Sequence, residues 1–222
     1  MQSLEPSTSL VDQAYTVILD ALCDGTFKPG ERLTQDDIAA RLSVSRQPVT
    51  HALVVLKSQG FLVQSGRRGL TVTAVEPEFF EAIYQFRSAV EPLAVSLAAG
   101  RLTKSAIVRG RSLVEHGRNL VVAGDARATL QADMDFHAFI YELSGNPIIG
   151  ETMRLHWLHL RRAMGQVLRY PGMSISVWQE HSRVLERMIS GDATGAADLM
   201  RRHVVDAYER VRIEPASDSG PT

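Results

Sequence analysis

Apolar side chains recur at helical spacing through the first 58 residues, give way to two short β-rich runs, and then return to helical spacing until near the end. A helix is expected over 10–22, with Ala14, Val17, Ile18 and Leu22 on its core side, followed by a turn at Lys28-Pro29-Gly30. Thr34 stands where an N-cap belongs, with Asp36 and Asp37 in the first turn and Ile38, Ala39 and Leu42 on one side. Ser45 is the next N-cap, and Pro48 falls in the first turn, where a missing N–H is harmless. From there Val49, Ala52, Leu53 and Leu56 point inward, while Arg46, Gln47, Thr50, His51, Val54 and Lys57 face out. A helix anchored on one side and offering hydrogen-bonding groups from the other suits the major groove. After Gly60, FLVQ and LTVTAV flank the basic tip SGRRG, a hairpin signal.

Two helices, a tight turn and a basic hairpin form a winged helix-turn-helix, expected over 10–75 after a flexible arm at 1–9. From 78 onward the breaks delimit helices over 78–100 (bent at Pro92), 103–123, 125–144, 147–170, 174–190 and 192–214. The fold class is therefore mainly α: the winged module, then a bundle of about six to seven helices over 76–214, then a disordered tail at 215–222.

Charge sharpens the first module. The 222-residue chain has a net charge of −1, yet 38–75 holds Arg41, Arg46, Lys57, Arg67 and Arg68 and no acidic residue. A basic field confined to one module of a near-neutral protein points to a polyanion partner for that module. The remaining bulk numbers are ordinary. Apolar residues make up 45%, and no apolar run approaches the ~20 residues of a membrane span. MQSLEPSTSL lacks the pattern of a secretory signal, and the lone Cys23 sits among Ile18, Leu19 and Leu22, as a buried inert thiol would. The expected location is the cytoplasm.

In the bundle, the informative positions are polar groups inside apolar stripes. The 125–144 helix carries Leu130, Met134, Phe136, Phe139, Ile140 and Leu143, and reads as central and buried, yet includes Asp133 and His137 on one face. His181 is in register with Val177, Val184, Leu185 and Met188, and His203 with Ala196, Met200, Val204 and Ala207. Singly, each is an ordinary hydrogen-bonded core residue. Together, three imidazoles and a carboxylate suit a divalent metal, Zn²⁺ first, with Ni²⁺ or Mn²⁺ as alternatives. Arg87 shares the inward face of Phe80, Ile83, Val90, Ala94 and Leu97, and a buried guanidinium needs an anion. That anion is either Glu91, one turn on, or a bound carboxylate.

PGERLTQDDIAARLSVSRQPVTHAL, with LKSQGFLV and the RRG wing, resembles the GntR family of bacterial transcription regulators. The segments ADMDFHAFIYELSGNP, QEHSRVLERMISGDATGAA and MRRHV resemble the FCD effector domain of its FadR-like subfamily. The first resemblance implies a homodimer on a palindromic operator of double-stranded DNA, contacted by Arg32, Arg46, Arg67, Arg68 and Gly69. Gln47, Thr50 and His51 depart from the residues usual in that family, which bears on the preferred operator. The second implies a metal on Asp133, His137, His181 and His203, and a small organic acid effector that Arg87 helps to hold. A ligand-responsive regulator, most simply a repressor, is the function expected. The rival is a metal-dependent hydrolase or lyase with a DNA-binding appendage, against which stands the lack of a general base or nucleophile constellation near the ligands. A third possibility keeps the metal purely structural.

Overall fold

The computed structural model describes residues 9–66, 69–164 and 171–212, which form two compact units, 1–75 and 76–222. Expectations for the arm at 1–8, the wing tip Arg67 and Arg68, the stretch 165–170 and the tail 215–222 lie outside the described residues.

In the first unit, α1 (Leu10–Cys23) packs on α3 (Arg46–Ser58), and α2 (Gln35–Leu42) closes against α3. Ser9 caps α1 by accepting from the Asp12 N–H, and Thr34 caps α2 by accepting from Asp37. Ser43 then takes the left-handed conformation (φ 55°) that stops α2 and makes the tight turn. Ser45 occupies the N-cap of α3, but its side chain makes no capping bond. The inward stripe of α3 behaves as its spacing requires: Val49, Ala52, Leu53 and Leu56 are fully buried. On α1 the core side is Ala14, Ile18, Leu19 and Leu22, whereas Val17, expected inside, is half exposed. One position of helical phase separates the two readings.

A two-residue strand β1 (Arg32–Leu33), invisible to periodicity at that length, joins the hairpin β2 (Leu62–Ser65) and β3 (Gly69–Val72). The antiparallel order is β1-β3-β2, with Arg32 opposite Thr71. This is a winged helix-turn-helix.

The second unit contains α4 (Pro77–Ala99), α5 (Lys104–Ala123), α6 (Ala126–Ser144), α7 (Pro147–Met164), α8 (Pro171–Ile189) and α9 (Ala193–Arg212). Their contacts close a ring: α4 on α9, α9 on α8, α8 on α5, α5 on α6, and α6 back on α4, with α7 outside against α6 and α4. Left-handed Gly124 and Gly145 end α5 and α6, and Asp125 caps α6 by accepting from Ala128. Pro92 lies inside α4 without dividing it, and α8 starts at Pro171 rather than near 174 because proline suits the first helical turn. Leu97, expected inside, is more than one-third exposed and Val90 is half-buried.

The ring closes tightly where α5 meets α8. A Cβ on Gly117 would run into the Trp178 ring, and one on Gly110 would press on Leu185 and Phe139. Gly150 on α7 has only Tyr141 Cβ nearby, at 3.8 Å. Gly117→Ala should therefore destabilise by about 1–3 kcal/mol through overpacking, despite alanine's better helix propensity. Gly150→Ala should be neutral or stabilise by up to about 1 kcal/mol. Urea unfolding of the two variants checks the opposite signs.

Candidate metal centre and nucleic-acid interface

Inside the five-helix ring the polar residues singled out above converge. One imidazole nitrogen from each of His137, His181 and His203 lies within 4.8 Å of the other two, and all three rings are buried. His181 Nε2 is 3.3 Å from His203 Nε2 and 3.4 Å from Asp133 Oδ1. Two ligands about 2.0–2.1 Å from a tetrahedral ion stand roughly 3.3–3.4 Å apart. Those separations fit a cation between the groups. Hydrogen bonding also leaves room for one: Asp133 Oδ1 and His137 Nε2 are buried with no hydrogen-bond partner. Orphaned buried polar atoms are costly unless something else satisfies them.

Carboxylates flank the cluster from outside. Glu180 Oε2 is 2.7 Å from His203 Nδ1, and Arg210 clamps the other Glu180 oxygen. Glu91 Oε2 is 2.8 Å from His137 Nδ1, close enough for an ion pair though not aligned as a hydrogen bond. Such partners fix ring orientation and tautomer and leave the second nitrogen as a lone-pair donor. The sequence reading missed Glu180 in this role. It precedes His181 in the chain, but its partner is His203 on the next helix, and only the α8–α9 packing brings the two together.

Arg87 is buried with its anion in place. Its Nε donates to Glu91 Oε1 at 2.6 Å, and the guanidinium lies 4.3 Å from the Trp157 ring centroid and 5.0 Å from that of Tyr84. Tyr141 donates its hydroxyl to the same Glu91 oxygen at 2.9 Å, and Trp157 Nε1 donates to the Tyr141 hydroxyl at 3.0 Å. Of the two partners weighed for Arg87, Glu91 is thus present in the protein itself. Burial alone would raise the Glu91 carboxyl; Arg87 and then His137 more than offset it, so it stays below the usual carboxylate range. Burial pushes the Tyr84 hydroxyl up to about 12 and Tyr141 well above its ordinary value. Burial, followed by the neighbouring His203 and His137, holds His181 well below the usual imidazole range, so it is a neutral donor near pH 7.

On α7, His156 packs against Phe86 and His159 lies edge-on to Phe79, in ring contacts outside the imidazole cluster. His116 is exposed on α5.

On the winged module, Arg46, Gln47, His51 and Lys57 are exposed along the outer face of α3, and Thr50, half-buried, turns its hydroxyl onto the Arg46 carbonyl. Arg46 Nε pairs with Asp36 at 2.7 Å on an open surface, and Lys57 Nζ donates to Gln64 Oε1 at 3.1 Å. Arg32 runs across Gly69, where a Cβ would collide with its guanidinium. That close approach is a physical reason for glycine at the start of β3.

Residues 82–206 match the FCD domain family, and residues 10–72 match the bacterial regulatory proteins of the gntR family. The chain is 25% identical over 190 residues to the uncharacterized HTH-type transcriptional regulator YdhC of Bacillus subtilis, covering 83% of each. It is 26% identical over 210 residues to the HTH-type transcriptional regulator McbR of Escherichia coli, covering 91% of this chain and 94% of that one. The solved structure of E. coli McbR/YncC superposes with a TM-score of 0.81 at 23% identity, over 93% of this chain and 98% of that chain. These families and relatives are regulators rather than enzymes, which disfavours the hydrolase or lyase reading.

Two measurements follow from the buried network. Arg87→Met leaves the Glu91 carboxylate buried without its cation and should cost about 3–5 kcal/mol in denaturant unfolding. Adding Glu91→Gln, which removes the charge but keeps groups for Tyr141 and His137, should return most of that. The depressed His181 means that below pH 6.5 the unfolded chain binds a proton the folded chain refuses. Its contribution to stability is complete above pH 6.5 and declines as pH falls below it. Thermal melts of metal-free protein should show this decline starting above the range where carboxylates titrate.

Proposed function

Because the chain belongs to the GntR family of bacterial regulatory proteins and carries an FCD domain, we propose that it is a cytoplasmic, homodimeric repressor. It binds a palindromic operator, and its affinity is set by a small carboxylate effector held beside a divalent metal. The observation that carries the sensing half is the convergence of three buried imidazole nitrogens within 4.8 Å, with Asp133 Oδ1 3.4 Å from one of them.

Asp133, His137, His181 and His203 are the residues that would hold the ion, with Zn²⁺ the best match to an N₃O donor set and Ni²⁺ or Mn²⁺ as alternatives. The bound ion would supply a Lewis-acidic anchor for a carboxylate. Around it, Glu180 orients His203, Glu91 orients His137, and Arg87 presents positive charge from α4. An entering organic acid competes with Glu91 for Arg87. Effector binding is thereby tied to the packing of α4 against α6. The effector moves the equilibrium only by its difference in affinity for the two arrangements.

On the DNA side, Arg32, Arg46, Lys57, Arg67 and Arg68 supply phosphate and base contacts, the backbone at Gly69 meets the sugar-phosphate, and Gln47, Thr50 and His51 read base edges. Two copies present these heads to the two half-sites. The Arg46–Asp36 pair is exposed and is worth less than about 1 kcal/mol, so phosphate displaces Asp36 readily.

The test uses full-length protein and an operator selected from random duplexes. Fluorescence anisotropy with Zn²⁺-loaded protein, titrated with a panel of short hydroxy- and dicarboxylates, should find an acid that shifts operator affinity about 5–150-fold. The shift should vanish in His203→Ala, and Glu180→Gln should weaken Zn²⁺ binding about 10–100-fold. If no metal and no acid alters operator affinity, the sensing half is wrong and the DNA-binding half stands. That second half has its own readout: binding should weaken steeply with salt, and Arg46→Ala should lower both the affinity and the salt slope.

A further inference from the structure

The 125–144 helix reads in sequence as buried all round, but α6 has an outer face. Ala138 is exposed and Met134 is only half-buried, and opposite them α7 turns Trp157 and Leu158. Ala138 on α6 and Gly150 on α7 put little side chain between the walls, and a groove of ≈ 560 Å³ remains. Most ligand sites for small molecules enclose about 300–1,000 Å³. None of the four candidate metal ligands lines this groove.

The chemistry of the walls defines the occupant. Tyr141 and Trp157 lie at the groove with their polar atoms already committed: Trp157 Nε1 donates to the Tyr141 hydroxyl, which donates to Glu91. Both are almost wholly buried, so what they offer a ligand is a narrow strip of ring carbon on the groove floor. Of the acids on the rim, Glu142 pairs with Arg109 at 2.9 Å, and Asp135 keeps its charge while accepting from the Gln131 amide at 2.9 Å. Arg154 also lines the groove and forms no ion pair among the described residues. An apolar trough with an arginine at its edge that has no ion-pair partner suits a flat apolar molecule carrying one anionic group.

We propose that the α6–α7 groove is a second ligand site, separate from the metal centre, which takes an aromatic carboxylate with its ring against Trp157 and Tyr141 and its carboxylate on Arg154. It stands independently of the metal-and-effector reading. Occupancy would still be felt in the core, because Trp157 lies 4.9 Å from His137, centroid to centroid, and against Arg87.

The probe is 2-naphthoate, titrated into full-length protein by calorimetry, with the neutral 2-naphthylmethanol in parallel. Expected are one site per chain, binding weakened about tenfold in Arg154→Gln or for the neutral probe, loss of binding in Ala138→Trp, and no change with chelator or in His203→Ala. Arg154→Glu, a surface reversal that leaves packing alone, should also abolish binding and keeps the test decisive if Ala138→Trp folds poorly. Absence of binding, or binding that survives both Ala138→Trp and Arg154→Glu, overturns the proposal. So does binding that disappears with chelator or in His203→Ala, which puts the probe in the metal core. A change of sedimenting mass in Ala138→Trp also overturns it, by making the groove a contact between copies.

Discussion

One carboxylate, that of Glu91, fixes the interior of the helical unit. It is wholly inaccessible to solvent, and it meets Arg87 from its own helix, Tyr141 and His137 from α6, and through Tyr141 the indole of Trp157 on α7. A buried charge is tolerable only with such a set of partners. Satisfying them locks α4, α6 and α7 at one mutual rotation. The imidazole cluster inherits its geometry from that lock, since His137 is one of the four groups involved. Hydrophobic packing alone would not select the rotation, because the flanking apolar side chains tolerate small helix shifts far better than a network of directional bonds does.

The second constraint is the closure of the ring. His181 is stacked on Phe136, with centroids 4.3 Å apart, and stands edge-on to Trp178, while Trp178 fills the space that Gly117 leaves on α5. A residue with no side chain, on a helix that contributes no polar group to the cluster, thus sets how near α8 comes to the axis. His203, on α9, is steered from outside by Glu180 and Arg210. Each imidazole is held by a different device: a buried anion, an aromatic sandwich, a half-buried ion pair.

Much of this was legible in the residues. The cap at Thr34, the inward stripe of α3, the hairpin and the inward register of Asp133, His137, His181 and His203 follow from local patterns, and local patterning is what a helix or strand obeys. Three kinds of feature were not legible. β1 is two residues long and exists only because β3 pairs with it. Val17 and Leu97 sit at the margins of their apolar faces, where one step of helical phase decides exposure and the neighbouring helix chooses. Met134 looked like core because sequence cannot show that the facing helix stands off; Ala138 and Gly150 were the only hint. Glu180 lacked any signal, since its role depends on a partner 23 positions away.

The ion pair between Arg46 and Asp36 affects how the winged head meets DNA. A head that carries its own counter-anion gives up a contact whenever it gains one, so Arg46 pulls more weakly on any phosphate than a solitary guanidinium would. In the binding mode proposed above, that discount applies equally to every sequence and leaves base discrimination to Gln47, Thr50 and His51.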